Sequence, residues 1–295
     1  MASHETYYVP AQSKWPIIAS IGLLLTVYGG GNIINGMSSG EGSGFGKWIF
    51  FAGALTIAYM MFGWFSNVAK ESDQGLYSAQ MDRSFRMGMG WFIFSEVMFF
   101  SAFFGALFYA RVFAGPWLGG EGDKGVTNLL WPEFQFAWPL MVNPDTKSFP
   151  GPNEIISPWQ LPLVNTIILI SSSVTVTFAH HALRAGKRGL TNGWLGLTVL
   201  LGTIFLVMQA WEYHHAYHEL GLTLNSGIYG STFFMLTGFH GAHVTMGTLI
   251  LAIILIRLVR GHFSPEKHFG FEAAIWYWHF VDVVWVGLFV FVYIL

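Results

Sequence analysis

The sequence has no cysteine and very little charge. None of its 295 residues is cysteine, and only 10% are charged. Without thiolates the chain can hold no disulfide framework, thiolate nucleophile, iron–sulfur cluster or copper–thiolate centre. A soluble domain carries about 25% charged residues, whereas this chain is 53% hydrophobic and 18% aromatic. Such a composition is typical of an integral membrane protein.

Two further signals are weak or missing. A net charge of −2 excludes the basic surface expected of a nucleic-acid-binding protein. The opening segment, MASHETYYVPAQSKWP, has no basic stretch followed by a short apolar core and a small-residue cleavage site. We therefore expect no removable signal or transit peptide.

Long apolar runs dominate what remains. Crossing about 30 Å of hydrocarbon takes about 20 helical residues, and seven runs are long enough. They lie at about 15–34, 48–68, 87–112, 161–182, 194–213, 228–258 and 273–295. The sequence predicts an all-α integral membrane protein with seven transmembrane helices, in which 1–295 is a single membrane domain. One long, proline-rich connection, 113–160, is expected to fold over the outer surface.

The distribution of basic residues predicts an orientation. With seven spans, most of the 14 lysine and arginine residues fall on the side that holds the N-terminus. Because cytoplasmic loops are enriched in Lys and Arg, we expect the N-terminus in the cytoplasm and the C-terminus outside.

Few ionisable side chains interrupt the runs. Glu96 lies near the middle of the third run, where a carboxylate costs about 2.5–3.5 kcal/mol unless it is protonated or partnered. The other ionisable residues inside the runs are His180, His181, Glu212, His240, His243, His279 and Asp282. Within two pairs, His240 with His243 and His279 with Asp282, the three-residue spacing puts both members on one helix face.

This set permits two interpretations. Imidazoles and carboxylates together can form a metal site, or they can be interhelical hydrogen bonds that hold a bundle together. We favour the second, and expect Glu96 to be a neutral acid that bonds to a neighbouring helix through His240 or His243. No metal site and no catalytic residue is predicted.

A separate histidine group follows Glu212. His214 and His218 are four residues apart and could bind zinc if helical, but solvated histidines in an exposed loop are the simpler interpretation. Lys70 and Arg257 lie at cytoplasmic run ends, where ordinary anchoring competes with lipid headgroup binding.

Four stretches together carry a family signature. They are RMGMGWFIFSEVMFFSAFF (86–104), PLVNTIILISSSVTVTFAHHAL (162–183), YGSTFFMLTGFHGAHVTMG (229–247) and HFGFEAAIWYWHFVDVVWVGLF (268–289). In this order they resemble subunit III of the haem–copper cytochrome c oxidases, of the bacterial aa3 type. The combination is far more specific than any one stretch.

The resemblance implies a fold and a role. The fold is a two-helix plus five-helix arrangement with a lipid cleft. The role is that of a non-catalytic core subunit of a proton-pumping terminal oxidase, in the inner (plasma) membrane of a bacterium. Haem and copper (CuA and CuB) are then expected in partner subunits I and II, with cytochrome c as the electron donor. This subunit would bind phospholipids and support proton uptake and sustained turnover of subunit I.

The resemblance also implies roles for single residues. Glu96 corresponds to the family's intramembrane glutamate. Lys70, Tyr77 and Arg257 fall where the family contacts phospholipid headgroups, and Trp64 lies near the acyl chains. His4 is expected near the entrance of the proton pathway.

Two other functions stay open. A quinol oxidase's third subunit belongs to the same superfamily but typically lacks the first two helices. A self-contained membrane metalloenzyme would use Glu96, His240, His243 and His279 as ligands.

Overall fold

The computed structural model describes residues 8–9, 12–40, 42 and 44–295, and these form helices and connections without a strand. The helices are α1 (Trp15–Ser38), α2 (Gly46–Asp73), α3 (Ala79–Tyr109), the short α4 (Gly115–Leu118), α5 (Leu161–Arg184), α6 (Arg188–His218), α7 (Ile228–Val259) and α8 (Phe269–Leu288). A π-helical turn at Ala110–Ala114 joins α3 to α4, and another at Phe289–Ile294 extends α8. Among the described residues, seven helices are long and apolar enough to cross a membrane, which confirms the predicted number.

Several helices extend further than the apolar runs. The second ends at Asp73, not near 68, the third begins at Ala79, not near 87, and α6 covers Arg188–His218, not 194–213. The apolar runs mark only the part of each helix that lies in the hydrocarbon. The helix itself extends further, because backbone hydrogen bonds continue through polar turns at its ends. Glycines in the left-handed conformation follow the ends of several helices, among them Gly75 after α2, Gly186 after α5 and Gly261 after α7.

The chain divides into two compact units, residues 1–85 and 86–295. The first contains α1 and α2 and the second contains α5 to α8 with most of α3. This grouping agrees with the predicted two-helix plus five-helix arrangement. The lipid cleft stays a prediction.

Glycines bring α1 and α2 together in the first unit. A Cβ atom on Gly29 would overlap the backbone of Phe50, and one on Gly53 would overlap that of Thr26. The contacts descend along α2 as they ascend along α1, so the two helices are antiparallel. Small residues permit this close approach, which is how apolar helices associate where the hydrophobic effect is absent.

The core of the second unit centres on α8. Trp278 and Trp285 are fully buried, and each indole N–H donates to a hydroxyl of α5. Trp278 bonds Ser172 Oγ at 2.9 Å, and Trp285 bonds Thr166 Oγ1 at 2.9 Å. Hydroxyl groups of α5 therefore accept the hydrogen bonds of both buried indole N–H groups.

The connection between α4 and α5 is folded against that between α6 and α7. The amide N–H of Asn153 donates to the carbonyl of Leu220 at 2.9 Å. Buried Asn143 donates from Nδ2 to the carbonyls of Phe149 at 2.8 Å and Ser226 at 3.0 Å. These bonds fix the long connection at the end of the bundle where α6 ends and α7 begins.

Candidate functional site

Glu96 of α3 is paired with His243 of α7. The carboxyl Oε2 lies 2.9 Å from Nε2 of the imidazole. The Glu96 side chain is 21% exposed and that of His243 is 17% exposed. The acid of the third span thus has a partner on another helix, and that partner is His243 and not His240.

The second ring nitrogen of His243 limits the protonation states open to the pair. Nδ1 lies 2.6 Å from the carbonyl oxygen of Phe239, and a carbonyl only accepts, so Nδ1 carries a hydrogen. In a neutral imidazole Nε2 is then an acceptor, and the Glu96 carboxyl must donate. The contact requires one proton between Glu96 Oε2 and His243 Nε2.

Aromatic rings enclose the His243 side of the pair. Phe100 makes an edge contact with the imidazole at 4.9 Å between ring centroids, and the ring of Phe99 lies at 5.8 Å. Tyr277 of α8 lies alongside, and its hydroxyl is 3.4 Å from the His243 carbonyl. Such an apolar setting strengthens a hydrogen bond and disfavours separated charges.

His240 is engaged elsewhere. Its Nε2 lies 3.1 Å from the carbonyl oxygen of Val281 in α8, so this nitrogen donates. Its ring packs against Trp285 and Phe205, and the residue is 1% exposed. Nδ1 is buried without a hydrogen-bond partner among the described residues. The three-residue spacing with His243 therefore does not give the two imidazoles a shared partner.

His279 and Asp282 form a third, separate contact. His279 Nδ1 lies 2.6 Å from Ser173 Oγ of α5 and 3.7 Å from Asp282 Oδ2. In the part of the chain that the structure describes, no three metal-ligating side chains converge. The predicted polar residues are thus spread over several interhelical contacts.

The environment of Glu212 is not apparent from the sequence. This carboxyl of α6 is fully buried, and Oε1 accepts from the Tyr293 hydroxyl at 2.6 Å and from Gln209 Nε2 at 3.4 Å. The i, i+3 spacing of Gln209 and Glu212 was a usable signal, but the tyrosine is 81 residues away in sequence.

A second missed contact lies at the other end of the bundle. His180 of α5 and His268, just before α8, approach with their Nε2 atoms 3.4 Å apart. Beside them, Arg86 Nη1 lies 2.6 Å from Glu272 Oε2. The sequence placed His180 inside a span but gave no reason to pair it with His268.

Three of the predicted lipid residues lie in the first unit. Trp64 is 47% exposed and stacks on Phe65 in α2, while Lys70 is exposed in the last turn of that helix. Tyr77 follows α2, and its hydroxyl donates to Glu71 Oε2 at 2.7 Å. Burial and the neighbouring carboxylate raise the pKa of Tyr77, so the hydroxyl stays protonated and anchors this connection to α2.

The other two predicted residues are placed differently. Arg257, in the last turn of α7, belongs to the second unit, and its guanidinium lies 4.6 Å from the centroid of the Phe263 ring. His4 lies outside the described residues. The proton-entrance assignment of His4 therefore stays a prediction.

Comparisons with known proteins agree along the whole chain. The family model described as "Cytochrome c oxidase subunit III" matches residues 4–295. The cytochrome c oxidase subunit 3 of Arabidopsis thaliana is 41% identical over 293 residues, covering 99% of this chain and 97% of the relative. That of Paracentrotus lividus is 39% identical over 300 residues, covering 99% and 98%. The "Probable cytochrome c oxidase subunit 3" of Rickettsia conorii is 37% identical over 291 residues, covering 98% and 93%.

Proposed function

The chain belongs to the cytochrome c oxidase subunit III family, and from that premise we propose that it is a non-catalytic core subunit of a proton-pumping terminal oxidase. The match over residues 4–295 carries the proposal. In this role the chain supports proton uptake and sustained turnover of subunit I, and it functions as one membrane domain. Haem and copper are held by subunits I and II, and cytochrome c supplies the electrons.

The Glu96–His243 contact has a structural role in this proposal. It joins α3 to α7 through one shared proton, inside a ring of aromatic side chains. A neutral acid–imidazole pair costs less in such surroundings than two separated charges. The pair thus holds the scaffold that faces subunit I and takes no part in redox chemistry.

We assign the bound phospholipids to Trp64, Lys70, Tyr77 and Arg257. Lys70 is an exposed cation at a helix end, where it can reach a headgroup phosphate. Arg257 presents a guanidinium whose position is supported by the Phe263 ring, and guanidinium binds phosphate oxygens in a bidentate manner. Trp64 offers an exposed indole of the kind found at acyl-chain boundaries.

The orientation follows the positive-inside rule. The N-terminus, with His4 near the proton entrance, lies in the cytoplasm, and the C-terminus lies outside the inner membrane of a bacterium. The long connection between α4 and α5 then folds over the outer face.

Removing this chain from the purified oxidase tests the proposed role. The depleted complex should keep its haem spectrum and its initial rate with reduced cytochrome c, but activity should decay faster during turnover. Adding the chain back should restore the slower decay. The proposal would be contradicted if the depleted complex lost its haems, or if its activity decayed during turnover no faster than that of the complete complex.

The two alternatives can be separated by the same preparation. Oxidation of a quinol in place of cytochrome c would favour the quinol oxidase, although seven spans support the cytochrome c form. A transition metal that stays with the isolated chain through dialysis against a chelator would favour the self-contained metalloenzyme. Against that second alternative, His240, His243 and His279 each have a different partner.

A further inference from the structure

We propose that His214 and His218 form a binding site for a divalent transition-metal ion at the C-terminal end of α6. The helix continues to His218, so the HHAYH segment is helical and not the loop expected from the sequence. Residues four apart lie on one helix face, and the two imidazole rings are 4.4 Å apart between centroids. Both residues are exposed.

The ligand chemistry suits Ni²⁺, Cu²⁺ and Zn²⁺. Neutral imidazole is a preferred ligand of all three ions. Two imidazoles on successive turns of one helix provide a chelate without any rearrangement of the backbone. Because the rings already lie against each other, less side-chain freedom is lost when an ion binds.

The helix end adds favourable electrostatics. The unpaired carbonyls of a helix C-terminus are equivalent to about half a negative charge and stabilise nearby cations. Glu219 follows His218 directly, and its side chain is 66% exposed. An ion held by His214 and His218 would therefore lie in a locally negative field.

The neighbouring histidine provides a matched control. His215 lies on the adjacent face of the same turn, where its Nδ1 is 3.0 Å from Glu219 Oε2. It has the same chemistry and a similar position along the helix, but its ring is directed to a carboxylate and not to His218. Replacing His215 should leave the proposed chelate intact.

Two protein ligands make an exchangeable site. Structural zinc sites use four protein ligands, whereas here water must complete the coordination. We therefore expect an ion that a chelator removes, unlike a resident cofactor. Binding should weaken as the solution is acidified, because protons compete for the imidazole nitrogens.

Equilibrium dialysis of the purified oxidase complex against Ni²⁺ tests the proposal, with the protein prepared without a polyhistidine tag and nickel measured by mass spectrometry. The unmodified complex should bind one Ni²⁺ more than a complex carrying both His214→Asn and His218→Asn. Each single substitution should weaken that binding by at least about tenfold, since even indirect partners of a metal ligand contribute 10–100-fold. His215→Asn should bind as the unmodified complex does.

Three results would overturn the proposal. They are equal nickel binding by the unmodified and doubly substituted complexes, no nickel binding by either, and an equal loss on His215→Asn. Retained haem spectra in all variants would show that a loss of nickel does not reflect unfolding.

Discussion

Replacing Glu96 by leucine should destabilise the contact between α3 and α7 by about 1–3 kcal/mol, since it leaves His243 Nε2, a partly buried acceptor, without a donor. His243 cannot compensate by changing its tautomer, because Nδ1 is bound to the Phe239 carbonyl at 2.6 Å. Nε2, 2.9 Å from the lost carboxyl, would be enclosed by Phe99 and Phe100 without a partner.

A double-mutant cycle isolates the pair. His243→Leu should cost a similar amount, because it leaves the Glu96 acid without an acceptor, but combining it with Glu96→Leu removes both polar groups. The double variant should therefore be more stable than additivity predicts, by about 1–1.7 kcal/mol. This lies at the upper end of measured interhelical couplings, which average about 0.6 and reach about 1.7 kcal/mol, because aromatic rings enclose this bond.

Glu96→Gln distinguishes a neutral pair from an ion pair. A glutamine amide can still donate to Nε2, so we expect a loss below about 1 kcal/mol and normal assembly with subunit I. Breaking a buried ion pair would instead cost about 3–5 kcal/mol. A loss of that size, or failure of the variant to co-purify with subunit I, would refute the neutral pair.

The free energy of unfolding in mixed detergent micelles, followed by circular dichroism, is the measurement for all these variants. Ser101→Ala provides the control cycle with His243→Leu, since Ser101 lies on the same helix but bonds the carbonyl of Val97 at 2.7 Å. That pair should be additive. Additivity for Glu96 and His243 as well would show that the contact contributes nothing.

Three further predictions concern other parts of the chain. Gly29→Ala should destabilise the α1–α2 hairpin by about 1–3 kcal/mol in thermal unfolding, while Gly31→Ala, with open space around it, should be neutral or stabilising. Tyr293→Phe removes the hydroxyl that donates to the buried Glu212 Oε1 at 2.6 Å and should lower the free energy of unfolding by about 1–3 kcal/mol. An unchanged melting temperature would count against the hydrogen bond between Tyr293 and Glu212. Arg257→Ala should lower the phospholipid content of the purified complex and make its activity decay faster during turnover, whereas Arg260→Ala should do neither. Equal lipid content in the unmodified complex and in both variants would show that Arg257 does not bind phospholipid.

The spans were predictable because composition and length alone determine them. Apolar runs of about 20 residues have few alternatives to a transmembrane helix. Their ends were not predictable to the same degree, since polar turns such as that of Arg188 continue the helix beyond the hydrocarbon. The same effect placed His214 and His218 on a helix and not in a loop.

The sequence limits the partner of Glu96 to two histidines but does not decide between them. His240 and His243 lie three residues apart, about 60° around the helix, and the rotation of α7 against its neighbours decides between them. That rotation depends on how the rings of Trp285 and Phe205 pack against His240. Long-range contacts of this kind also determine the environment of Glu212, which local spacing could not reveal.

Purification through an affinity tag on this chain tests the central claim most directly. Subunits I and II should co-purify in equal amounts with it, and the preparation should show a haem spectrum and oxidise reduced cytochrome c. Isolation of the chain alone, without haem and without oxidase activity, from membranes in which the oxidase is intact would contradict it.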